Sequence, residues 1–505
     1  MIMVPDKITF TDKIRKGGSV VVGVYADGSL SPNAAKIDKD LGGIISKSLK
    51  KPGFAVKTQF KTRSFVCPDD NRNHVIITGL GDRDKEYARF EAEKLGAAVW
   101  SGSAELDEEV IVAINEEDVR FSDGCVSAFM AFGALLKSWN FDKYKSEKDD
   151  KIKLRRPEML SKNKTAAEKQ FAELRNVAEG IFLTRLVVSE PANVIYPTSL
   201  AEVAKNELIP LGAEVEILKT AEMKKLGMNA LLAVAQGSQN EPRLAILRWN
   251  GGSKSESSAP TIAFIGKGVT FDSGGISLKP GDGMHEMRCD MAGSGTVLGL
   301  VKAAALNKLP VNIVGLMAMV ENMPSGSAQR PGDVVKSMSG QTIEVLNTDA
   351  EGRMVLADAL WYAKEKFNPE IMVDFATLTG AIVVALGHEF AGLFSNCDVL
   401  AEQISKSGTA TGEKLWRMPM SKHFDEGINS DIADMQNTGK PDVRGGSITA
   451  AQFLKRFVGD KKWAHIDIAG VETSASEDLF ICQKGGATGF GVHLMYDFLR
   501  ENYAK

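Results

Sequence analysis

The chain has 505 residues, 44% hydrophobic and 25% charged, with a formal net charge of -4 at pH 7. These proportions exclude a mostly disordered chain, a fibre and a small disulfide-stapled scaffold, and the length predicts roughly two or three domains. So weak an acidic balance gives no global electrostatic reason to seek nucleic acid or an anionic membrane. Cys67, Cys125, Cys289, Cys397 and Cys482 are far apart, odd in number and never in a C-x-x-C pair. That argues against a disulfide framework or a thiolate zinc site and for a reducing compartment. The N-terminal stretch lacks the apolar core of a secretory signal, and no run reaches the ~18 apolar residues of a membrane helix. A cytoplasmic protein is expected.

In chain order, Ser19 to Tyr25, Val75 to Thr78 and Val110 to Ile114 read as buried strands, and Lys85 to Trp100 has helical periodicity. From Asn140 to Lys164 the composition turns to mixed-sign charge, which reads as a solvated connector or exposed hairpin at a domain boundary. The expected division is an N-terminal α/β domain over 1–140, a charged connector and linking helix over 141–185, and a catalytic domain over 186–505. A long helix is predicted from about Thr165 to Ser189. Thr261 to Ile265, Val311 to Val320, Thr342 to Leu346, Ile371 to Phe375 and Ala464 to Ile468 then read as core strands, with helices at Thr296 to Leu309 and Met354 to Phe367. The fold class is α/β, two domains, each a mixed or largely parallel sheet flanked by helices. Sites in such sheets gather at the carboxyl ends of strands.

Several common chemistries are missing. There is no H-E-x-x-H, since His388-Glu389 lacks a second histidine, and there is no G-x-S-x-G elbow or phosphate loop. Gly266-Lys267-Gly268 follows a strand, but Phe271 breaks the dinucleotide fingerprint. Carboxylates and lysines remain, in three segments: GKGVTFDSGGISLK (Gly266 to Lys279), MRCDMAG (Met287 to Gly293) and NTDAEGR (Asn347 to Arg353). In an extended backbone Asp349, Glu351 and Arg353 would share one face. Asp272 precedes Ser273-Gly274-Gly275, where the chain can turn sharply, and Asp290 stands at a predicted helix start. Like charges converging on a buried cleft need neutralising. Oxygen-rich ligation without Cys or His suits Mg²⁺, Mn²⁺ or Zn²⁺. Four carboxylates exceed the needs of one ion, which points to a two-metal centre. Taken singly, Asp290 reads more readily as a helix cap, and NTDAEGR equally as a surface turn with an Arg–Glu pair.

At these residues the chain resembles the leucyl (cytosol) aminopeptidases, two-metal exopeptidases whose signature NTDAEGR stands unchanged at Asn347 to Arg353. The GKGVTFDSGGISLK loop is similar to the family's metal-binding loop. ATLTG (Ala376 to Gly380), SITAAQFL (Ser447 to Leu454), WAHIDIAG (Trp463 to Gly470) and GATGFG (Gly486 to Gly491) extend the likeness over about 260–491. The resemblance implies Lys267, Asp272, Asp290, Asp349 and Glu351 as metal ligands, with Asp272 and Glu351 bridging both ions. It implies Lys279 and Arg353 as the catalytic pair, Arg353 holding a bicarbonate. It also implies Met287, Thr377, Leu378, Gly380 and Ala469 around the first side-chain pocket, whose apolar lining would favour leucine-like residues. Met287 reads alternatively as core packing. Expected cofactors are thus two divalent ions per subunit, Mn²⁺ or Zn²⁺ with Mg²⁺ as an alternative. Expected partners are peptides with a free N-terminus, in a homohexamer without membrane attachment. Some bacterial relatives also bind DNA in architectural or regulatory roles, the alternative function the likeness implies. One departure from the family's pattern is visible, at Arg288-Cys289.

Overall fold

The computed structural model describes residues 8–51, 54–67, 72–104, 106, 109–147, 156–252, 260–476 and 480–504. They form two compact units, 1–178 with 480–483, and 179–479 with 484–505. In the first, β1 (Thr9–Thr11), β2 (Ser19–Tyr25), β3 (Thr62–Val66), β4 (His74–Gly81), β5 (Glu109–Val112) and β6 (Arg156–Leu160) make one sheet of order β1-β6-β5-β2-β4-β3. Its pairings are parallel except β3 with β4. Helices α1 (Pro32–Asp40), α2 (Ile44–Leu49), α3 (Arg89–Gly102) and α4 (Val126–Ser138) complete the unit. β2 is buried along its whole length, and Val20, Val22 and Val24 pack with Ile37, Ile45 and Val75.

The charged stretch is therefore not wholly a solvated connector. Its later part is β6, hydrogen-bonded between β1 and β5, with Pro157, Met159 and Leu160 buried. Burial of these apolar residues outweighs the charged residues before them; residues 148–155 lie outside the described residues. Helix α5 (Lys164–Ser189) follows and runs across the boundary between the units.

The second unit holds strands β7 (Glu214–Leu218), β8 (Arg243–Asn250), β9 (Thr261–Asp272), β10 (Asn312–Asn322), β11 (Val334–Lys336), β12 (Thr342–Glu344), β13 (Ile371–Ala376), β14 (Ala391–Ser395), β15 (Leu415–Arg417), β16 (Met435–Gln436) and β17 (Lys462–Asp467). Its helices are α6 (Pro197–Leu208), α7 (Thr220–Leu226), α8 (Asn229–Ala235), α9 (Ala292–Leu306), α10 (Gly352–Phe367), α11 (Gly380–Leu386), α12 (Asp398–Thr411), α13 (Lys422–Glu426), α14 (Gly446–Lys455) and α15 (Val492–Asn502). Eight strands form the main sheet in the order β15-β14-β17-β13-β9-β10-β8-β7. The central β17, β13, β9 and β10 are mutually parallel. Thr342 to Glu344 does not join them; β11, β12 and β16 make a separate small sheet.

The chain leaves β9 through α9 to β10 on one side, then returns through α10 to β13 on the other. This reversal puts the topological switch point at the carboxyl ends of β9 and β13, where doubly wound sheets hold their ligands. β13 is buried throughout, and core residues Ile265, Val314, Met354, Leu356 and Met372 cluster together. Both faces are covered, so apolar burial fixes the strand ends as a rigid platform.

Candidate active site

β9 runs seven residues past the predicted strand end at Ile265, through Gly266, Lys267 and Asp272. A lysine and two glycines read as loop because a central strand is expected to be apolar. Here Lys267 is tolerated at 2% exposure because carboxylates meet it. Its Nζ lies 2.6 Å from Asp290 Oδ1 and 2.8 Å from Glu351 Oε1, and donates to the Thr377 carbonyl at 2.8 Å. A Cβ on Gly352 would sit 2.7 Å from Lys267 Cε, so a larger residue at the start of α10 would push the lysine side chain aside.

Asp272 ends β9. Gly274 and Gly275 follow at φ 88° and 68°, a left-handed pair that folds the chain back. This return brings Lys279 to face its own strand, with Nζ 2.9 Å from Asp272 Oδ2 and 2.5 Å from Asp349 Oδ1. Asp290 stands just before α9, after a 3-10 turn over Met284–Cys289, and Thr377 Oγ1 donates to its Oδ1 at 2.7 Å.

NTDAEGR is not extended. Asn347 to Ala350 form a turn, Glu351 has helical dihedrals of -81° and -39°, and Gly352 and Arg353 open α10. Its side chains converge through this turn rather than through a shared strand face. The helix is favoured by the leucines and alanines that fill its buried positions, while Gly352, a poor helix former, is confined to its first residue.

The structure thus brings together Lys267, Asp272, Lys279, Asp290, Asp349 and Glu351. Asp272, Asp290 and Glu351 are buried and offer oxygens all within 4.8 Å of one another. Asp290 Oδ2 is buried without a hydrogen-bond partner among the described residues. Burial, with the charges of Asp272 and Glu351, raises the Asp290 carboxyl well above its ordinary value, against the pull of Lys267. Burial and Asp272 raise Glu351 likewise. Burial works to lower Lys267, but Asp290, Glu351 and Asp272 outweigh it and raise its ammonium. Four carboxylates thus face two ammoniums, a donor set short of positive charge that fits divalent cations.

Arg353 is buried beside this group. One guanidinium nitrogen donates to the Asn437 carbonyl at 2.8 Å, while Nε has no partner among the described residues. Burial pushes its pKa down to about 10 against the opposing charges of Glu351 and Asp467. Thr377 follows β13 directly and touches both Asp290 and Lys267. Met287, Leu378 and Ala469 are half-buried and Gly380 is exposed.

Two positioning residues were not found by sequence reasoning. Asn322, at the end of β10, donates to Asp272 Oδ1 at 2.8 Å and to the Thr348 carbonyl at 3.1 Å. Asn437 accepts from Leu346 N at 2.8 Å and Asn347 N at 3.3 Å, and donates to the carbonyls of Asn347 at 2.7 Å and Ala350 at 3.3 Å. An asparagine at an element end reads as a turn former; only the fold reveals its partner.

Residues 182–496 match the catalytic domain of the cytosol aminopeptidase family, and residues 21–148 match its N-terminal domain. A probable cytosol aminopeptidase of Agrobacterium fabrum (strain C58) is 44% identical over 501 residues, covering 98% of each chain. One from Sinorhizobium fredii (strain NBRC 101917) is 46% identical over 504 residues, covering 98% of this chain and 99% of that one. One from Rickettsia conorii is 46% identical over 478 residues, covering 94% of each. Among solved structures, a mutant of tomato leucine aminopeptidase is similar with a TM-score of 0.86 and 31% identity, covering 99% of this chain and 97% of that one. Matches over both halves, together with a buried acidic cluster suited to metal, lead to one conclusion: the chain belongs to the cytosol aminopeptidase family and is a metal-dependent aminopeptidase, a hydrolase of the exopeptidase type.

Proposed function

We propose that this aminopeptidase removes leucine-like or other apolar first residues from peptides, using two divalent ions held by Lys267, Asp272, Asp290, Asp349 and Glu351. The observation that carries this reading is the buried carboxylate trio within 4.8 Å, with Asp349 beside it through Lys279. Asp272 and Glu351 would bridge, and Lys267 would be neutral when it ligates. When bound, such ions supply Lewis acidity at a carbonyl and a nucleophile at neutral pH. Mn²⁺ and Zn²⁺ suit the mixed oxygen and amine donors, with Mg²⁺ a harder alternative.

The chain's own groups supply the rest. Lys279, held between Asp272 and Asp349, presents a fixed ammonium where oxyanion charge develops. Arg353 offers its Nε–H, unpartnered among the described residues, to an anion, the place the family resemblance gives to bicarbonate. Ions held by Lys267, Asp272, Asp290, Asp349 and Glu351 would offer a place for a free substrate α-amine, which would restrict the reaction to the first peptide bond, since an internal bond offers no such amine. Met287, Thr377, Leu378, Gly380 and Ala469 would line the first side-chain pocket. Among the described residues no helix is long and apolar enough to cross a membrane. Family resemblance supports a cytoplasmic homohexamer, which light scattering tests through its mass. Hydrolysis of aminoacyl amides by metal-loaded protein, lost with a chelator and restored by Mn²⁺ or Zn²⁺, tests the reading. Full activity after thorough stripping would reject it.

A further inference from the structure

Asp467 is fully buried at the carboxyl end of β17, paired in register with Ala376 at the end of β13. No step proposed above uses it. Its Oδ1 accepts from Leu378 N at 3.0 Å and Ala469 N at 3.3 Å, and its Oδ2 accepts from Thr379 Oγ1 at 2.7 Å. Leu378 and Thr379 leave β13, and Ala469 leaves β17. One carboxylate therefore ties together two segments from neighbouring strands, the two that would wall the first side-chain pocket. Thr379 passes the tie onward: its Oγ1 also accepts from Ile382 N at 3.2 Å, capping α11. An ionised carboxylate is suited to this place because it is acceptor-only and satisfies three donors without supplying a proton.

From this geometry we infer that Asp467 is a specificity-determining positioning residue, whose clamp on Leu378, Thr379 and Ala469 sets the width of the first side-chain pocket. This rests on the proposed pocket assignment and adds to it a residue that touches no substrate. Discrimination by one methylene in an apolar pocket is worth about 10- to 200-fold and needs walls that do not yield. Asparagine at 467 would keep the oxygen facing the two amides. Its amide nitrogen cannot accept the Thr379 proton; it can only donate to a hydroxyl that already accepts from Ile382 N, so a charge-assisted bond is exchanged for a weaker one and the α11 side of the clamp loosens. Valine at 379 breaks the same bond from the other side, whereas serine preserves it.

The test uses the full-length, metal-loaded enzyme on leucyl, valyl and alanyl amides, together with amide hydrogen exchange in residues 377–387. Asp467→Asn and Thr379→Val should each reduce the leucyl-to-alanyl ratio of kcat/KM by about tenfold. The change should fall mainly on the KM of the leucyl substrate, and exchange at Ile382, whose amide rests on the Thr379 hydroxyl, should speed up. Thr379→Ser should retain the wild-type ratio. A wild-type ratio and unchanged exchange in both disrupting variants would overturn the assignment alone. Equal loss of kcat on every amide, with the ratio preserved, would also overturn it by marking a merely structural role. A wild-type enzyme that does not discriminate among the amides would overturn the apolar-pocket reading as well.

Discussion

Asn437 is the most informative place to perturb the candidate centre without touching a carboxylate. Its side chain is fully buried and holds the turn carrying Asp349 and Glu351. Asn437→Ala removes two short hydrogen bonds, at 2.8 Å from Leu346 N and 2.7 Å to the Asn347 carbonyl, and two longer ones, both 3.3 Å, with Asn347 N and the Ala350 carbonyl. Leu346 and Asn347 are exposed, so water can replace part of what is lost there. At about 1 kcal/mol for each short bond and less for each long one, the cost is about 2–3 kcal/mol. If that energy is needed to present the carboxylates, divalent-ion affinity falls by roughly 30- to 150-fold. Calorimetric titration of stripped protein with Mn²⁺ or Zn²⁺ measures the affinity, and hydrogen exchange reports whether the turn has loosened. Affinity within about threefold of wild type, with the Leu346 and Asn347 amides demonstrably unprotected, would refute the reasoning.

Other parts of the structure give independent predictions. Asp358 is fully buried and accepts from Leu231 N at 3.0 Å and Met338 N at 2.8 Å, and burial raises its carboxyl to about 7. Because the folded value lies above the unfolded one, its contribution is full below pH ~4 and is lost as pH rises through ~7, about 4 kcal/mol in all. The melting temperature of Asp358→Asn relative to wild type should therefore rise from pH 5 to about pH 7 and level off by about pH 8; a constant difference would contradict this. His465 Nδ1 lies 2.6 Å from Asp374 Oδ1, both side chains are fully buried, and Trp463 Nε1 donates to Asp374 Oδ2 at 2.7 Å. His465→Leu should cost about 3–5 kcal/mol by stranding Asp374, measured by denaturant unfolding, and Asp374→Asn in the same chain should recover part of it. Lys279→Met should lower turnover at unchanged metal content, whereas Glu351→Gln should lower both. Metal analysis beside kinetics checks the pair, and intact metal and turnover in Glu351→Gln would remove its bridging role.

Much of the site was legible because its residues lie in three short stretches at strand ends, where unlike neighbours make them conspicuous. Lys267, Asp272 and Lys279 stand among glycines, and Asp349 and Glu351 stand within NTDAEGR. The apolar runs of β2, β10 and β13 announced themselves in the same way. Three features stayed hidden for physical reasons. β6 lies behind a charged stretch, and its burial depends on strands far away in sequence. The later half of β9 is polar because the centre itself supplies the partners that let Lys267 and Asp272 be buried. The convergence of Asp349 and Glu351 comes from a turn held by Asn437, about ninety positions on, and no local pattern encodes that contact.

The most direct measurement is anomalous diffraction from crystals grown with Mn²⁺ or Zn²⁺, with metal content determined on the same protein. Two peaks per chain are predicted, about 3.5–4 Å apart, between Asp272 and Glu351, with Asp290 and Lys267 on one side and Asp349 on the other. Full occupancy elsewhere in the molecule, with Lys267 still paired to Asp290 and Glu351 and no peak between the carboxylates, would contradict the account.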